Sequence, residues 1–371
     1  MKRYGSVLFL FGFLFLLFAA AGPWAFGQTK MTVVDLGQRT VEVSQNPEKI
    51  ICLGPGSLRL ICYLRMMKKV AGVERFEKTP PGGRAYLWAN PNLAKLPVVG
   101  PGGPAGINKD PDLEAVLKVN PQLIFIANME AAKAEALQKK LNIPVVILSY
   151  GGFATFDDVV FDSLRLAGKI LKAEKRAEEV VAFIEGARRD LLKRTERYEE
   201  RKKARVYIGG IGFRGTQGIE SSDASYFPLD WVRARNLAKE VQPKDHAFVN
   251  KEKILSWDPD LIFIDGGGLG NIHRDYQKKT EFYRHLKAFK TQQVFLLLPY
   301  NWYVTNIDTA VADGFAAGKI LYPPSFSDLN PQKKADEIYT FLLGKPVYPQ
   351  LEKEFGELGS PVDLSLRTRG Y

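Results

Sequence analysis

The sequence predicts an α/β protein of two similar lobes bridged by one long helix, with a ligand cleft between the lobes. Three observations carry this prediction. A helix, a proline and a buried strand are stated twice: DLEAVLKVNPQLIFIA at 112–127 lies over NKEKILSWDPDLIFID at 250–265, with Pro121 on Pro259, Leu123 on Leu261 and Glu114 on Glu252. On either side of a central region, short apolar strands alternate with helical stretches, the pattern of mainly parallel sheets covered on both faces. The central region, 156–203, has no strand pattern. There, Leu164, Ala167, Ile170, Leu171, Val180, Val181, Ile184, Leu191 and Leu192 recur at helical spacing.

The chain opens with Met1-Lys2-Arg3, an apolar run at 7–22 and small residues at Ala25 and Gly27, which read as a cleavable secretory signal over 1–27. No cysteine stands at the junction, so the expected mature protein is exported without a lipid anchor, and no later stretch is apolar enough to span a membrane. The first lobe, 28–155, starts with a hairpin and a buried strand at 49–53. The turn GPGS follows, with Ser57 placed to cap a helix. Strands at 70–74, 96–103, 122–127 and 144–149 and helices at 112–120 and 131–142 complete it. In the bridging segment, 156–203, the stretch 173–201 reads as a helix of about 40 Å at 1.5 Å per residue. The second lobe, 204–345, has strands at 204–210, 260–268 and 292–299, and helices at 228–238, 250–258, 281–289, 308–322 and 331–344. Residues 346–371 read as a tail.

Composition removes several function classes. Net charge is +11, but the basic residues are scattered and show no basic face with interleaved aromatics, so nucleic acid is not the expected partner and an anionic ligand is. Cys52 and Cys62 are too few for a four-ligand zinc or iron–sulfur site; they either pair in an oxidising compartment or remain as buried thiols. Gly210, Gly212 and Gly215 have the spacing of a dinucleotide fingerprint, but the following TQGIESSDASYFP reads as a loop rather than a helix. His246, His273 and His285 do not form a ligand set for a free metal, and no nucleophile–base arrangement or GxSxG is present. No motif here points to catalysis or to a bound cofactor.

Ligands of parallel sheets bind beyond the carboxyl ends of the strands. The loops there carry Ser57, Tyr86, Trp88 and Tyr150 in the first lobe and Arg214, Gln217, Trp302 and Tyr303 in the second. Aromatic rings with a few polar groups suit a small-molecule cleft. Together with the signal, the GPGS turn, LEAVLKVNPQLIFIA, the long helix, KEKILSWDPDLIFID and NIDTAVADGFAAGKILYPPSF, these features resemble the periplasmic solute-binding proteins of iron-complex and cobalamin ABC importers. The resemblance covers roughly 31–345. It implies two Rossmann-like lobes joined by a rigid helix, a monomer in the periplasm, no chemistry, and delivery of a small-molecule metal complex to an ABC permease dimer in the inner membrane. It also implies that Glu114 and Glu252 dock into arginine pockets of that two-fold permease. A ferric siderophore-like cargo would use Arg214 for its charge. Haem would draw a tyrosine from Tyr86, Tyr150 and Tyr303, and cobalamin would use Trp88 and Trp302. The rival from another class is an exported two-lobed enzyme acting on a nucleotide sugar.

Overall fold

The computed structural model describes residues 29–152 and 157–365; residues 1–27, which read as a secretory signal, lie outside the described residues. The chain begins with an antiparallel hairpin, β1 (Lys30–Val34) and β2 (Thr40–Ser44). The first lobe is a parallel sheet of β3 (Ile50–Leu53), β4 (Val70–Glu74), β5 (Val98–Gly100), β6 (Leu123–Ala127) and β7 (Val145–Leu148), ordered β5-β4-β3-β6-β7. The second contains β8 (Arg205–Gly209), β9 (Ser221–Asp223), β10 (Arg235–Asn236), β11 (His246–Phe248), β12 (Leu261–Asp265) and β13 (Val294–Leu297). Its parallel sheet is ordered β10-β8-β12-β13, and β9 and β11 form a separate antiparallel pair.

The repeat in the sequence is a repeat in the structure, down to the caps. Helices Leu113–Val119 and Lys251–Trp257 are seven residues each. Asp112 accepts the Ala115 N–H at 3.0 Å, and Asn250 accepts the Lys253 N–H at 2.8 Å. Both helices stop at a left-handed residue, Asn120 (φ 50°) and Asp258 (φ 46°), and a proline then prevents continuation. The strands that follow, β6 and β12, are buried at every position.

Several elements differ from the sequence reading. The bridge is two helices, Val159–Leu171 and Glu174–Thr195, separated at left-handed Lys172. The second is 22 residues, about 33 Å rather than 40 Å. Ser57 is the first residue of helix Ser57–Tyr63 and fully buried; Gly56, at φ 79°, is the residue before the helix, so no serine cap forms. The helix expected at 228–238 ends at Trp231, because Arg233 turns left-handed and the chain adds β10 beside β8. Helix Leu269–Lys278 occupies part of what reads as a glycine loop. Those glycines serve close approach instead: a Cβ on Gly268 would stand 2.4 Å from the Gly210 carbonyl oxygen. The expected tail contributes helix Tyr348–Phe355, which buries Tyr348, Leu351 and Phe355, and a segment hydrogen-bonded along β13 (Val362 N–H to Val294 O, 2.9 Å). Cys52 and Cys62 are buried free thiols.

The lobes are joined by more than the bridge. One apolar cluster runs from Leu58, Leu60 and Tyr63 of the first lobe into Ile307, Ile338 and Tyr339 of the closing helices Ile307–Leu321 and Pro331–Leu343. Arg65 donates to the carbonyls of Thr340 and Phe341 across the same seam.

Candidate functional site

The carboxyl ends of strands from both sheets converge on a cavity of about 210 Å³. The first lobe supplies Pro55 after β3, Phe76 after β4, and Pro104 and Ile107 after β5. The second supplies Arg214 and Thr216 after β8, Asp265 at the end of β12, and Asn301 to Val304 after β13.

The segment 299–306 forms the cleft's floor and takes an unusual path. Tyr303 (φ 63°) and Val304 (φ 68°) are both left-handed, a conformation that is costly for a β-branched residue unless its surroundings enforce it. Arg59 does so. Its guanidinium is fully buried and donates to the Thr305 carbonyl at 2.7 Å, the Trp302 carbonyl at 3.1 Å and Asn306 Oδ1 at 2.6 Å. From the other side, Glu74 accepts the Tyr303 hydroxyl at 2.7 Å and the Gly54 N–H at 3.0 Å, and Phe76 meets the Tyr303 ring edge-on at 4.9 Å. The Trp302 indole lies against glycines of both lobes. A Cβ on Gly82 would come within 2.6 Å of it and one on Gly267 within 3.4 Å.

Burial pushes the Glu74 carboxyl up to about 7 from its ordinary 4.5, against the Gly54 and Tyr303 hydrogen bonds that favour its charged form. The folded state therefore holds a proton that the unfolded chain releases. Stability from this site is expected to fall as pH rises from about 4.5 to about 7, and to be level above that. Glu74→Gln keeps an oxygen for the Gly54 N–H, lets its amide donate to the Tyr303 hydroxyl, and removes the buried charge. It is expected to flatten this slope and to stabilise the protein by about 1–3 kcal/mol at pH 8. Urea unfolding at pH 5 and pH 8 checks it, and an unchanged slope would contradict the assignment. Asp265 is likewise pushed up to about 7 by burial and accepts the N–H groups of Tyr300 and Gly267, both at 2.8 Å.

Arg214 stands at the mouth, exposed and, among the described residues, without an ion pair. It is the last member of a stack: its guanidinium lies 5.6 Å from the Phe213 ring centre, and Phe213 stacks on His246 at 4.1 Å. His246 bonds Ser221 at 2.7 Å, and burial lowers its pKa to about 4, so the imidazole is neutral.

Of the residues singled out from sequence, the structure brings Arg214, Trp302 and Tyr303 together in the cleft. Gln217 does not line it; its amide donates to the Phe213 carbonyl at 2.8 Å and closes the arginine loop. Tyr86 is buried, with its hydroxyl on both oxygens of Glu77 (2.8 and 2.9 Å). Tyr150 is buried with its hydroxyl on the Gly56 carbonyl at 2.9 Å. Trp88 packs half-buried against the main core, and Ser57 is sealed behind the cleft wall. None of these four lines the cavity, and the hydroxyls of Tyr86 and Tyr150 are engaged within the first lobe. Sequence reasoning missed Phe76, Asn301 and Asp265. A signal existed for the last: the repeat reads LIFIA in one lobe and LIFID in the other, so only the second copy ends its buried strand in a carboxylate. Glu114 and Glu252 are exposed on the first turns of their helices and line no part of the cleft. The first of these turns begins beside the carboxyl end of β5, as the Asp112 N–H to Val99 carbonyl bond shows, and so lies on the cleft side of its lobe rather than away from it.

A model of the periplasmic binding proteins matches residues 50–300, well over half of the chain. The chain belongs to the periplasmic binding protein family. As a member it is the substrate-binding component of an ABC transporter, and not an enzyme. Among curated relatives, the molybdate-binding protein MolA of Haemophilus influenzae is 21% identical over 325 residues, covering 83% of this chain and 89% of MolA. An uncharacterised substrate-binding lipoprotein of Bacillus subtilis, YvrC, is 21% identical over 304 residues, covering 80% and 87%. Among solved structures, molybdate-bound MolA superposes with a TM-score of 0.67 at 21% identity, over 85% of this chain and 98% of that one. The petrobactin-binding protein YclQ of Bacillus subtilis superposes with a TM-score of 0.57 at 19% identity, over 79% and 99%. These likenesses establish the two-lobed fold of this periplasmic binding protein. Among its described residues, no cluster of His, Cys, Asp or Glu is arranged to hold a metal ion, and no helix is long and apolar enough to cross a membrane.

Proposed function

We propose that this periplasmic binding protein captures an anionic ferric chelate of the siderophore type and delivers it to a two-fold permease in the inner membrane. The observation that carries this reading is the pairing of apolar walls with a cation. Phe76, Ile107, Trp302 and Val304 face the cavity, while Arg214, without an ion pair among the described residues, stands at its mouth. A bare metal ion would need converging carboxylates or imidazoles. An organic chelate brings its own donors to the metal, buries apolar flanks and needs a cation for its residual charge. The cavity is smaller than the roughly 300–1,000 Å³ usual for drug-sized ligands, so a chelate of that size extends into solvent past Arg214.

A second reading is favoured by the likeness to MolA, which binds molybdate: a small oxoanion on Arg214, Thr216 and Asn301. Haem and cobalamin are the alternatives on the same fold, with Tyr303 and Trp302 as their contacts. Ligand-stripped protein, offered ferric catecholate and hydroxamate siderophores, haem, cobalamin and molybdate together, is read by native mass spectrometry. Retention of a ferric chelate is the expected result; retention of molybdate alone would replace this reading with the second. Arg214→Ala and Trp302→Ala are each expected to weaken binding of the retained ligand about tenfold to hundredfold, with unchanged thermal unfolding for Arg214→Ala and a folded but less stable protein for Trp302→Ala. Calorimetric titration measures this, and parental affinity in both would mean the cargo sits elsewhere. Processing before Gln28 and release as a monomer without lipid belong to the same proposal, and N-terminal sequencing of the periplasmic fraction tests them.

A further inference from the structure

Five large apolar side chains stand exposed among the described residues: Val34, Leu117, Val241, Phe248 and Leu255. Two of them, Leu117 (54% exposed) and Leu255 (38%), occupy the same place in the two lobes. Each follows its exposed glutamate, Glu114 or Glu252, by three residues, so leucine and glutamate share one helix face. The buried side of each helix is supplied by Val116 and Ile254, which are again equivalent. A single exposed leucine is ordinary. The pattern of agreement is not. Across the outward positions of this turn the two copies diverge, with Ala115 against Lys253 and Lys118 against Ser256, yet the glutamate and the leucine persist. Packing fixes the valine and isoleucine; it gives no reason to keep a leucine in water twice.

A second copy of this chain does not explain the pattern. In a two-fold self-association one patch per chain meets its equivalent across the axis, and no duplicate within the chain is called for. A duplicate fits a partner that itself has two equivalent halves. We propose that Leu117 and Leu255 are paired apolar anchors, each seated in an apolar pocket of one permease subunit next to the cation that meets Glu114 or Glu252. This rests on the reading of the protein as the binding component that docks on a two-fold permease. Phe248 lies four residues before Glu252, but Asp110 holds its matching place, so it is not part of the duplicated set.

The test uses the importer's permease–ATPase in nanodiscs and the ligand-free binding protein, with affinity read by biolayer interferometry. Leu117→Ser and Leu255→Ser are each expected to weaken docking about tenfold and their combination about hundredfold, as for loss of one and two buried leucines. Leu117→Met with Leu255→Met is expected to dock like the parent, and so is Val241→Ser, an exposed apolar position outside the repeat. If the double serine variant docks like the parent while Glu114→Gln with Glu252→Gln weakens docking, the anchors are wrong and the docking reading stands. If neither pair matters, the docking reading falls and the anchors with it. A loss in Val241→Ser equal to that in the leucine variants would overturn the proposal as a general surface effect.

Discussion

Alanine at both Glu114 and Glu252 is expected to abolish most transport while ligand affinity stays at the parental value, and each single change is expected to reduce transport in part. The two carboxylates are exposed at the same position of two helices that match in length and caps and are followed by strands buried throughout. Neither touches the cleft. Each sits in the first turn of its helix, where the N–H ends favour a negative charge, and among the described residues neither has an ion-pair partner. Removing one member of an interfacial charge pair typically costs about 2–5 kcal/mol, partly by leaving the other charge stranded. Two such losses reduce occupancy of the permease far below what transport needs. Lysine at both positions is expected to be worse than alanine, since it adds repulsion. Vesicles carrying the permease, assayed beside ligand titrations, separate delivery from capture. Normal transport by the double alanine variant, or loss of ligand by it, would remove these residues from the docking face.

The parts of this molecule that were legible in the sequence are those set by periodicity and punctuation. The twin helix–proline–strand units could be read because their burial pattern, caps and stops all repeat. The strand-end loops at Arg214 and at Trp302-Tyr303 could be read because charged and aromatic residues there fit no core pattern. Side-chain direction could not be read. Tyr150 and Ser57 stand close in sequence to strand ends, as ligand residues do, and Tyr86 falls in the long connection between β4 and β5, but all three are buried. Gly266, Gly267 and Gly268 look like a loop, whereas their small size lets β12 and β8 end close together before a helix begins. The largest omission was Arg59. In SLRLICYLR it has the look of a solvated helix position, and nothing local reveals that the groups it bonds lie more than 240 residues away.

Arg59→Ala is therefore expected to have the largest effect of any single change on both fold and binding. The side chain is fully buried and its hydrogen bonds cross from helix Ser57–Tyr63 of the first lobe to the segment 302–306 of the second. Tyr86, once a ligand candidate, instead packs its ring 5.2 Å from this guanidinium. Truncation leaves the carbonyls of Trp302 and Thr305 and the Asn306 amide oxygen buried without their donor. It also leaves Asp308 without the positive charge that opposes the upward push of burial on its carboxyl. Breaking a buried charged network in this way costs about 3–5 kcal/mol. The left-handed pair Tyr303 and Val304 then loses its main restraint, and the indole of Trp302 with it. The expected result is a cooperative transition at lower urea concentration, faster amide exchange across 299–306, and ligand affinity reduced beyond that of Trp302→Ala. Arg59→Lys is the sharper test, because it keeps the charge but cannot present the planar fork that reaches several acceptors at once. Substantial loss in the lysine variant is expected. Parental stability and affinity in that variant would show that the charge alone, and not the fork, holds the floor of the cleft.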